Sequence, residues 1–334
     1  MLTERQKAIL GAVVERYIRT GEPVGSAVLL PALSMHISSA TVRSEMAELS
    51  AQGFLEQPHT SAGRVPSTLG YRYYVDRLMR KREADEAFRR FFAQLSRSAH
   101  DPARLLEKAV SVLADITRCA AVSTLPSDAG AKLSRVELVP LGESTALLVL
   151  LTDGGVVKNR LLRLDFPPTP ELLESFGALS AAALCGKPMV DFSPAYLQGL
   201  TASLDTNALE LLPVLADFAE LAREAAQTRV AVEGQMNLLA HKELSGNLTE
   251  IVTLLREGHK LRELTGNEPG AVAVKIGKES GTPALENTGL ILAKYRIGAQ
   301  EGTLGIVGST RIDYARLIPG VRYLSQLLGE LLSN

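Results

Sequence analysis

The sequence predicts an α+β chain that opens with a winged helix-turn-helix. Three observations predict it. Apolar residues recur at helical spacing in short blocks across residues 1–82. Ser38 to Met46 opens a helix whose outer face is small and polar. Glu56 to Pro66 reads as a hairpin whose tip is bounded by Pro58 and Gly63. Beyond residue 82 the apolar period alternates between that of helices and that of strands, which makes the whole an α+β chain.

The elements follow in order. Thr3 is placed to cap a first helix, with Gln6 three residues on, the spacing of a capping box. Ile9, Leu10, Val13, Val14, Tyr17 and Ile18 carry that helix to about Arg19. Gly21 and Pro23 stop it. A short second helix starts at Gly25 or Ser26, and Pro31 to Ile37 is the turn. Ser38 or Ser39 caps the third helix. Val42, Met46 and Leu49 face its core, and Ala40, Ser44, Ala47 and Ala51 lie opposite, flanked by Thr41, Arg43 and Glu48. Small residues permit close approach to base edges, and an arginine can reach a guanine or a phosphate. In such a motif the N-terminal end of the third helix meets the bases, here Ser38, Ser39, Thr41, Arg43 and Ser44.

Phe54 to Gln57 and Arg64-Val65 are the wing strands, with His59, Thr60, Ser61 and Arg64 as exposed donors for a groove or backbone. Tyr71, Tyr74, Val75 and Leu78 form a helix that packs back on the head, their rings serving as core. Arg77, Arg80, Lys81 and Arg82 end the head as a basic linker.

Glu83 to His100 reads as a charged helical connector and Pro102 to Arg118 as an amphipathic helix. Strands are expected at 136–139, 146–151 and 156–164, with a tight turn at Asp153-Gly154-Gly155. Pro167-Pro168-Thr169-Pro170 breaks the pattern. A helical, Ala- and Leu-rich block then runs from Glu171 to Arg229, interrupted near 186–194. Strands resume at 230–232, 271–274, 288–295 and 304–307, with helices at 248–264 and from Tyr314 onward. A helical block between two strand-bearing stretches suggests an insertion.

Composition bounds the function. The chain has 334 residues, 46% of them hydrophobic, and a net charge of −1. Residues 1–82 carry 11 Lys+Arg against 7 Asp+Glu, and the remainder 25 against 30. A basic head on an acidic body fits nucleic-acid binding at the head. No apolar run is long enough to span a bilayer and no secretory signal is evident, so a cytoplasmic location is expected. Cys119 and Cys185 are expected as two buried thiols. The five histidines sit in no metal-ligand spacing, so no metal is expected. The glycines of 302–308 lack the Lys-Ser/Thr of a phosphate loop, and no serine lies in a nucleophile elbow. No enzyme activity and no cofactor are expected.

Four blocks of the head closely resemble the bacterial heat-inducible transcription repressor family HrcA: Leu2 to Gln6, Thr20 to Ser26, Ser38 to Met46, and Leu55 to Ser67. Ile276-Gly277-Lys278-Glu279 and Leu304 to Tyr314 extend the resemblance into the second half. Ala27, Ser44 and Ser309 stand where the family pattern has a basic residue, an asparagine and a proline. The resemblance implies a winged helix head over 1–82 with a C-terminal linker helix. It also implies a GAF-like domain split over 83–165 and 229–334, interrupted by a mostly helical dimerisation domain over 166–228. It implies a homodimer acting as a negative regulator of class I heat-shock (chaperone) operons. Its partners would be double-stranded DNA carrying the CIRCE inverted repeat and the GroEL chaperonin, which keeps the repressor active; no membrane is involved. Two other readings remain: a regulator whose GAF-like body senses a metabolite, and a body with an assembly role whose head no longer binds DNA.

Overall fold

A computed structural model describes residues 2–333 apart from 60–61, 81, 96–101, 125–130, 155, 202–207, 227–229, 266–271 and 298–299. The helices of the head are α1 (Glu4–Thr20), α2 (Ser26–Leu29) and α3 (Ser39–Ala51), followed by strands β1 (Leu55–Glu56) and β2 (Val65–Pro66) and helix α4 (Thr68–Tyr73). There follow α5 (Glu86–Leu95), α6 (Pro102–Thr117) and β3 (Ala120–Thr124), then β4 (Leu133–Gly142), β5 (Thr145–Thr152) and β6 (Val157–Arg163). Helices α7 (Pro170–Leu179), α8 (Pro194–Thr201) and α9 (Ala208–Ala226) precede β7 (Val230–Glu233). The chain closes with α10 (Leu248–Leu255), α11 (Gly258–Thr265), β8 (Val272–Ile276), β9 (Thr288–Ile297), β10 (Gln300–Ser309) and α12 (Tyr314–Ser333). Mixed helix and sheet make this an α+β chain. No helix among the described residues is long and apolar enough to cross a membrane.

Two compact units emerge, Met1–Leu125 with Val230–Asn334, and Pro126–Arg229. The first is built on a five-stranded antiparallel sheet of order β7-β3-β10-β9-β8. Alternate residues send side chains to opposite faces. Ala121, Ile291, Ala293, Leu304 and Ile306 join the core that includes α6 and α12. Ala120, Val122, Leu290, Leu292 and Val307 join the one that includes α10 and α11. The interior position of β3, between β7 and β10, explains why the sequence hides it. It is short, made mostly of small residues and buried along its whole length, and its two polar residues, Ser123 and Thr124, are adjacent, so no alternation marks it.

The second unit packs the antiparallel sheet β4-β5-β6 on α7, α8 and α9. Leu138, Leu148, Leu150 and Leu162 meet Phe176 and Phe218 in one core. Phe192 and Phe218 stack edge-on with ring centroids 4.9 Å apart. Arg160 fans out to three carboxylates on successive turns of α9: Asp217 at 3.1 Å, and Glu220 and Glu224 at 2.6 Å each. The resemblance implies an inserted domain over 166–228. The compact unit starts at Pro126, because the strands over 133–163 lay their apolar face on these helices.

The head belongs to the first unit and shares its core. Ile9, Val13, Val42, Leu49, Tyr71 and Tyr74 form one continuous cluster with Phe88, Leu113, Tyr314 and Leu317. Tyr71 and Tyr314 meet at 6.0 Å between ring centroids. An ion pair completes the joint. Arg72 on α4 donates through Nε to Glu279 Oε1 at 2.8 Å and through Nη2 to Glu279 Oε2. Nη2 also donates to the Val274 carbonyl at 2.7 Å, and Glu279 Oε2 accepts the Ile276 N–H at 2.9 Å. Val274 and Ile276 lie on β8, the sheet's edge strand, so the pair satisfies backbone groups that a further strand would otherwise take. A second clasp joins α1 to the body: Arg311 lies over the Tyr17 ring at 5.9 Å and donates to Glu243 at 3.2 Å.

Burial alone would push the Glu279 carboxyl up. The Arg72 and Ile276 hydrogen bonds and the charges of Arg72 and Lys275 outweigh burial and hold it below the usual carboxylate range. A depressed folded value stabilises the fold above the unfolded carboxylate range, near about 4.3, and that gain is lost as pH falls through the folded value. Glu279→Gln is expected to lower stability by ~1–2 kcal/mol at neutral pH. The gap to wild type should close on acidification, as read by urea unfolding across pH. A gap that stays constant into the acid range would contradict the role given to the charge.

Candidate nucleic-acid interface

Helix α3 is held so that one face is free. Ser38 caps it, its Oγ accepting the Thr41 N–H at 3.1 Å. Val42, Met46 and Leu49 are buried, while Ala40, Arg43, Ser44, Ala47 and Ala51 are exposed. Arg5 on α1 reaches Glu45 at 3.2 Å and fixes the flank of α3. The Oγ atoms of Ser39 and Ser26 lie 3.0 Å apart and tie the start of α3 to α2. The capping box expected at Thr3 and Gln6 is present in both directions.

The hairpin is latched beside this face. Val24 and Arg64 exchange backbone hydrogen bonds of 2.8 and 2.9 Å. The segment before α2 is thereby bridged to the hairpin next to β2. Gly63 makes this approach feasible: a Cβ there would lie 2.4 Å from the Val24 carbonyl oxygen. The Arg64 side chain turns inward, and its Nε donates to Ser50 Oγ at 2.9 Å, which itself donates to the Met46 carbonyl at 3.0 Å. At the tip the Ala62 N–H meets the His59 carbonyl at 2.9 Å, and Gln57 Nε2 donates to the Ala62 carbonyl at 3.2 Å. Ser67 caps α4 and donates to the Gly53 carbonyl at 2.6 Å, tying the exit of the hairpin to the end of α3.

The expected contact residues thus divide. Arg43, Ser44 and His59 are exposed, and so is Ser38, although its hydroxyl is committed to the cap. Ser39 and Thr41 are half-buried. Arg64 was expected as an exposed donor; it is half-buried because it braces the hairpin against α3. Thr60 and Ser61 lie outside the described residues. Sequence reading passed over Arg72, Ser26 and Ser50. Hydrogen bonds between residues 14 or 207 positions apart leave no periodic signal.

Both cysteines are free thiols, with Cys119 buried and Cys185 half-buried rather than fully buried. Burial pushes the Cys119 thiol up to about 11, so it is an unreactive core residue. No group of His, Cys, Asp and Glu among the described residues could hold a metal ion.

Comparison with known proteins places this architecture. The family model of the HrcA protein C-terminal domain matches residues 103–318. The heat-inducible transcription repressor HrcA of Carboxydothermus hydrogenoformans is 34% identical over 100% of this chain and 99% of its own length. The chain belongs to the HrcA family. The repressor of the same name from Parafrankia sp. is 35% identical, covering 99% of both chains. A hypothetical protein whose crystal structure was solved at 2.2 Å aligns over 100% of this HrcA-family chain and 99% of its own, with a TM-score of 0.69 and 26% identity.

In this HrcA-family chain, Gly63→Ala should unlatch the hairpin, because the new methyl group collides with backbone rather than with a movable side chain. A loss of ~2 kcal/mol or more in the head is expected, the scale of overpacking. The Arg64 amide should exchange its hydrogen faster in the variant. Wild-type protection at that amide would show that the close approach is not a constraint.

Proposed function

We propose that this chain is a transcription repressor of chaperone operons, acting as a dimer on the CIRCE inverted repeat. The observation that carries the reading is the free face of α3 in a chain that matches HrcA repressors over its full length. On this reading the head is a winged helix-turn-helix, and α3 enters the major groove with its N-terminal half against base edges. Arg43 reads a guanine or grips a phosphate, and Ser44, Thr41 and the Ser38–Ser39 turn make the nearby polar contacts. His59, Thr60 and Ser61 at the wing tip run along the backbone. Arg64 spends Nε on Ser50 and can offer its terminal nitrogens to a phosphate. The five-stranded domain is the GAF-like body, and the protein works in the cytoplasm.

A two-fold operator calls for a two-fold protein. The outer face of the β4-β5-β6 sheet suits a second copy. Val139, Leu147 and Leu161 lie in register across it, beside Val149, Leu151 and Val157. Leu161 is 57% exposed, Val157 56% and Leu141 59%. A cluster of exposed apolar side chains on one sheet face marks an association surface. On this reading the unit Pro126–Arg229 is the one that pairs in the dimer.

Regulation follows from the family reading. The GroEL chaperonin keeps the repressor folded; heat-unfolded proteins occupy GroEL, and the repressor decays. A shift of ~1–2 kcal/mol in stability suffices to change the active fraction several-fold.

The test is fluorescence anisotropy with a CIRCE-type duplex against a scrambled duplex, at about 150 mM salt where non-specific binding is weak, with and without GroEL. Selective binding strengthened by GroEL is expected. A folded dimer with no preference for the repeat would overturn the repressor reading. Arg43→Ala should cost about 1–3 kcal/mol and relax base preference; unchanged preference would remove Arg43 from the readout. Arg64→Ala should lower the salt slope by about one unit, while Ser50→Ala, which frees the same arginine, leaves the slope intact. Equal slopes in wild type and Arg64→Ala would exclude the phosphate contact. Leu161→Arg, placed on the outer sheet face, should give monomers in light scattering; a wild-type dimer would move the interface elsewhere.

A further inference from the structure

Beside the edge strand β8 lies a cleft of about 250 Å3. Its apolar floor is Leu254 at the end of α10 and Leu264 on α11. Lys275 on β8 and Lys260 on α11 also line it, and the turn after β8 adds Ser280 and Thr282. Two carboxylates, Glu263 and Glu279, complete the lining.

These groups are not equally available. Glu279 already accepts hydrogen bonds on both oxygens, from Arg72 and from the Ile276 N–H. Lys260 is ion-paired to Glu257 at 2.7 Å, outside the lining, which leaves donors to spare. Lys275 is half-buried and has no carboxylate within ion-pair distance among the described residues. Its charge acts on Glu279 only from beyond ion-pair distance, so its ammonium keeps its hydrogen-bond donors for an anion in the cleft. The Thr282 hydroxyl beside it adds a donor, while the Ser280 hydroxyl donates to the Thr282 carbonyl at 3.3 Å. Glu263 is exposed and unengaged among the described residues, and it can accept from a hydroxyl or ammonium on the far side of a ligand.

We propose that this cleft binds a small organic oxyanion. Its phosphate or carboxylate sits on Lys275 and Lys260 with the Thr282 hydroxyl, and its short carbon body rests on Leu254 and Leu264. Glu279 belongs both to this lining and to the ion pair that holds the head, so ligand binding and head docking are thermodynamically linked in both directions. The site stands without the repressor reading, and its test uses no DNA.

The test is a titration of the full chain with inorganic phosphate, followed by phosphorus NMR at fixed ionic strength, and with acetate, followed by its methyl signal. Saturable binding of at least one probe in the millimolar range is expected. The better probe identifies the anionic group. Lys275→Met should weaken it by about tenfold or more, and Lys260→Met by less. Glu279→Gln, which removes a like charge from the lining, should tighten it several-fold. Lys242→Met, an exposed lysine outside the cleft, should leave it unchanged. Thermal melting of each variant separates lost binding from lost folding, and Lys260→Met serves if Lys275→Met fails to fold. The proposal is overturned if neither probe saturates by about 50 mM, a barely measurable affinity. Equal affinity in wild type and Lys275→Met, or equal loss in Lys242→Met, would also overturn it.

Discussion

The fold depends on how the edge of the five-stranded sheet is closed. An edge strand presents unpaired N–H and C=O groups, and an uncovered edge invites pairing with another chain. Here the Val274 carbonyl and the Ile276 N–H are taken by Arg72 and Glu279, which hold each other through two hydrogen bonds. One partner comes from the head and the other from the body. The interaction that closes the sheet is therefore the one that orients the head. The geometry is bidentate and partly buried, the kind of pair whose planar fork fixes direction as well as distance. Around it, the Tyr71–Tyr314 contact and the Arg311–Tyr17 clasp resist rotation from two further sides.

What the sequence disclosed follows the range of the forces involved. The capping box at Thr3 and Gln6, the Ser38 cap, and the buried stripe Val42-Met46-Leu49 are local, and local rules read them. The hairpin turn over Asp153-Gly154 and the strands on either side were legible for the same reason. Strand β3 was not, because burial on both faces removes the alternation that would mark it. The start of the second compact unit was also missed. Which face of a β-hairpin meets which helices is decided in three dimensions, and the proline run at 167–170 marks only the turn into α7. At the interface, exposure of Arg43 and Ser44 followed from the helical period. The inward turn of Arg64 did not, since its partner Ser50 lies on α3, outside the hairpin.

The same joint connects the site to the rest of the chain. The head shares a continuous core with α5, α6 and α12 rather than hanging on a linker. Ile276 to Glu279 and Leu304 to Tyr314, the stretches in the second half that resemble the HrcA family, supply Glu279, Arg311 and Tyr314 to that joint. A head held in a fixed pose gives up little rotational freedom when it binds a partner. An ion pair, one aromatic contact and one cation–π contact add direction to that shared core.

The most direct test of this account is a double-mutant cycle on Arg72 and Glu279, read as affinity for a CIRCE-type inverted-repeat duplex. Neither residue lies on the exposed face of α3. The account predicts that Arg72→Glu and Glu279→Arg each weaken binding by about tenfold or more, and that the charge-swapped pair recovers part of the loss, the mark of direct coupling. Single variants that remain folded and dimeric and bind the duplex as wild type does would contradict it.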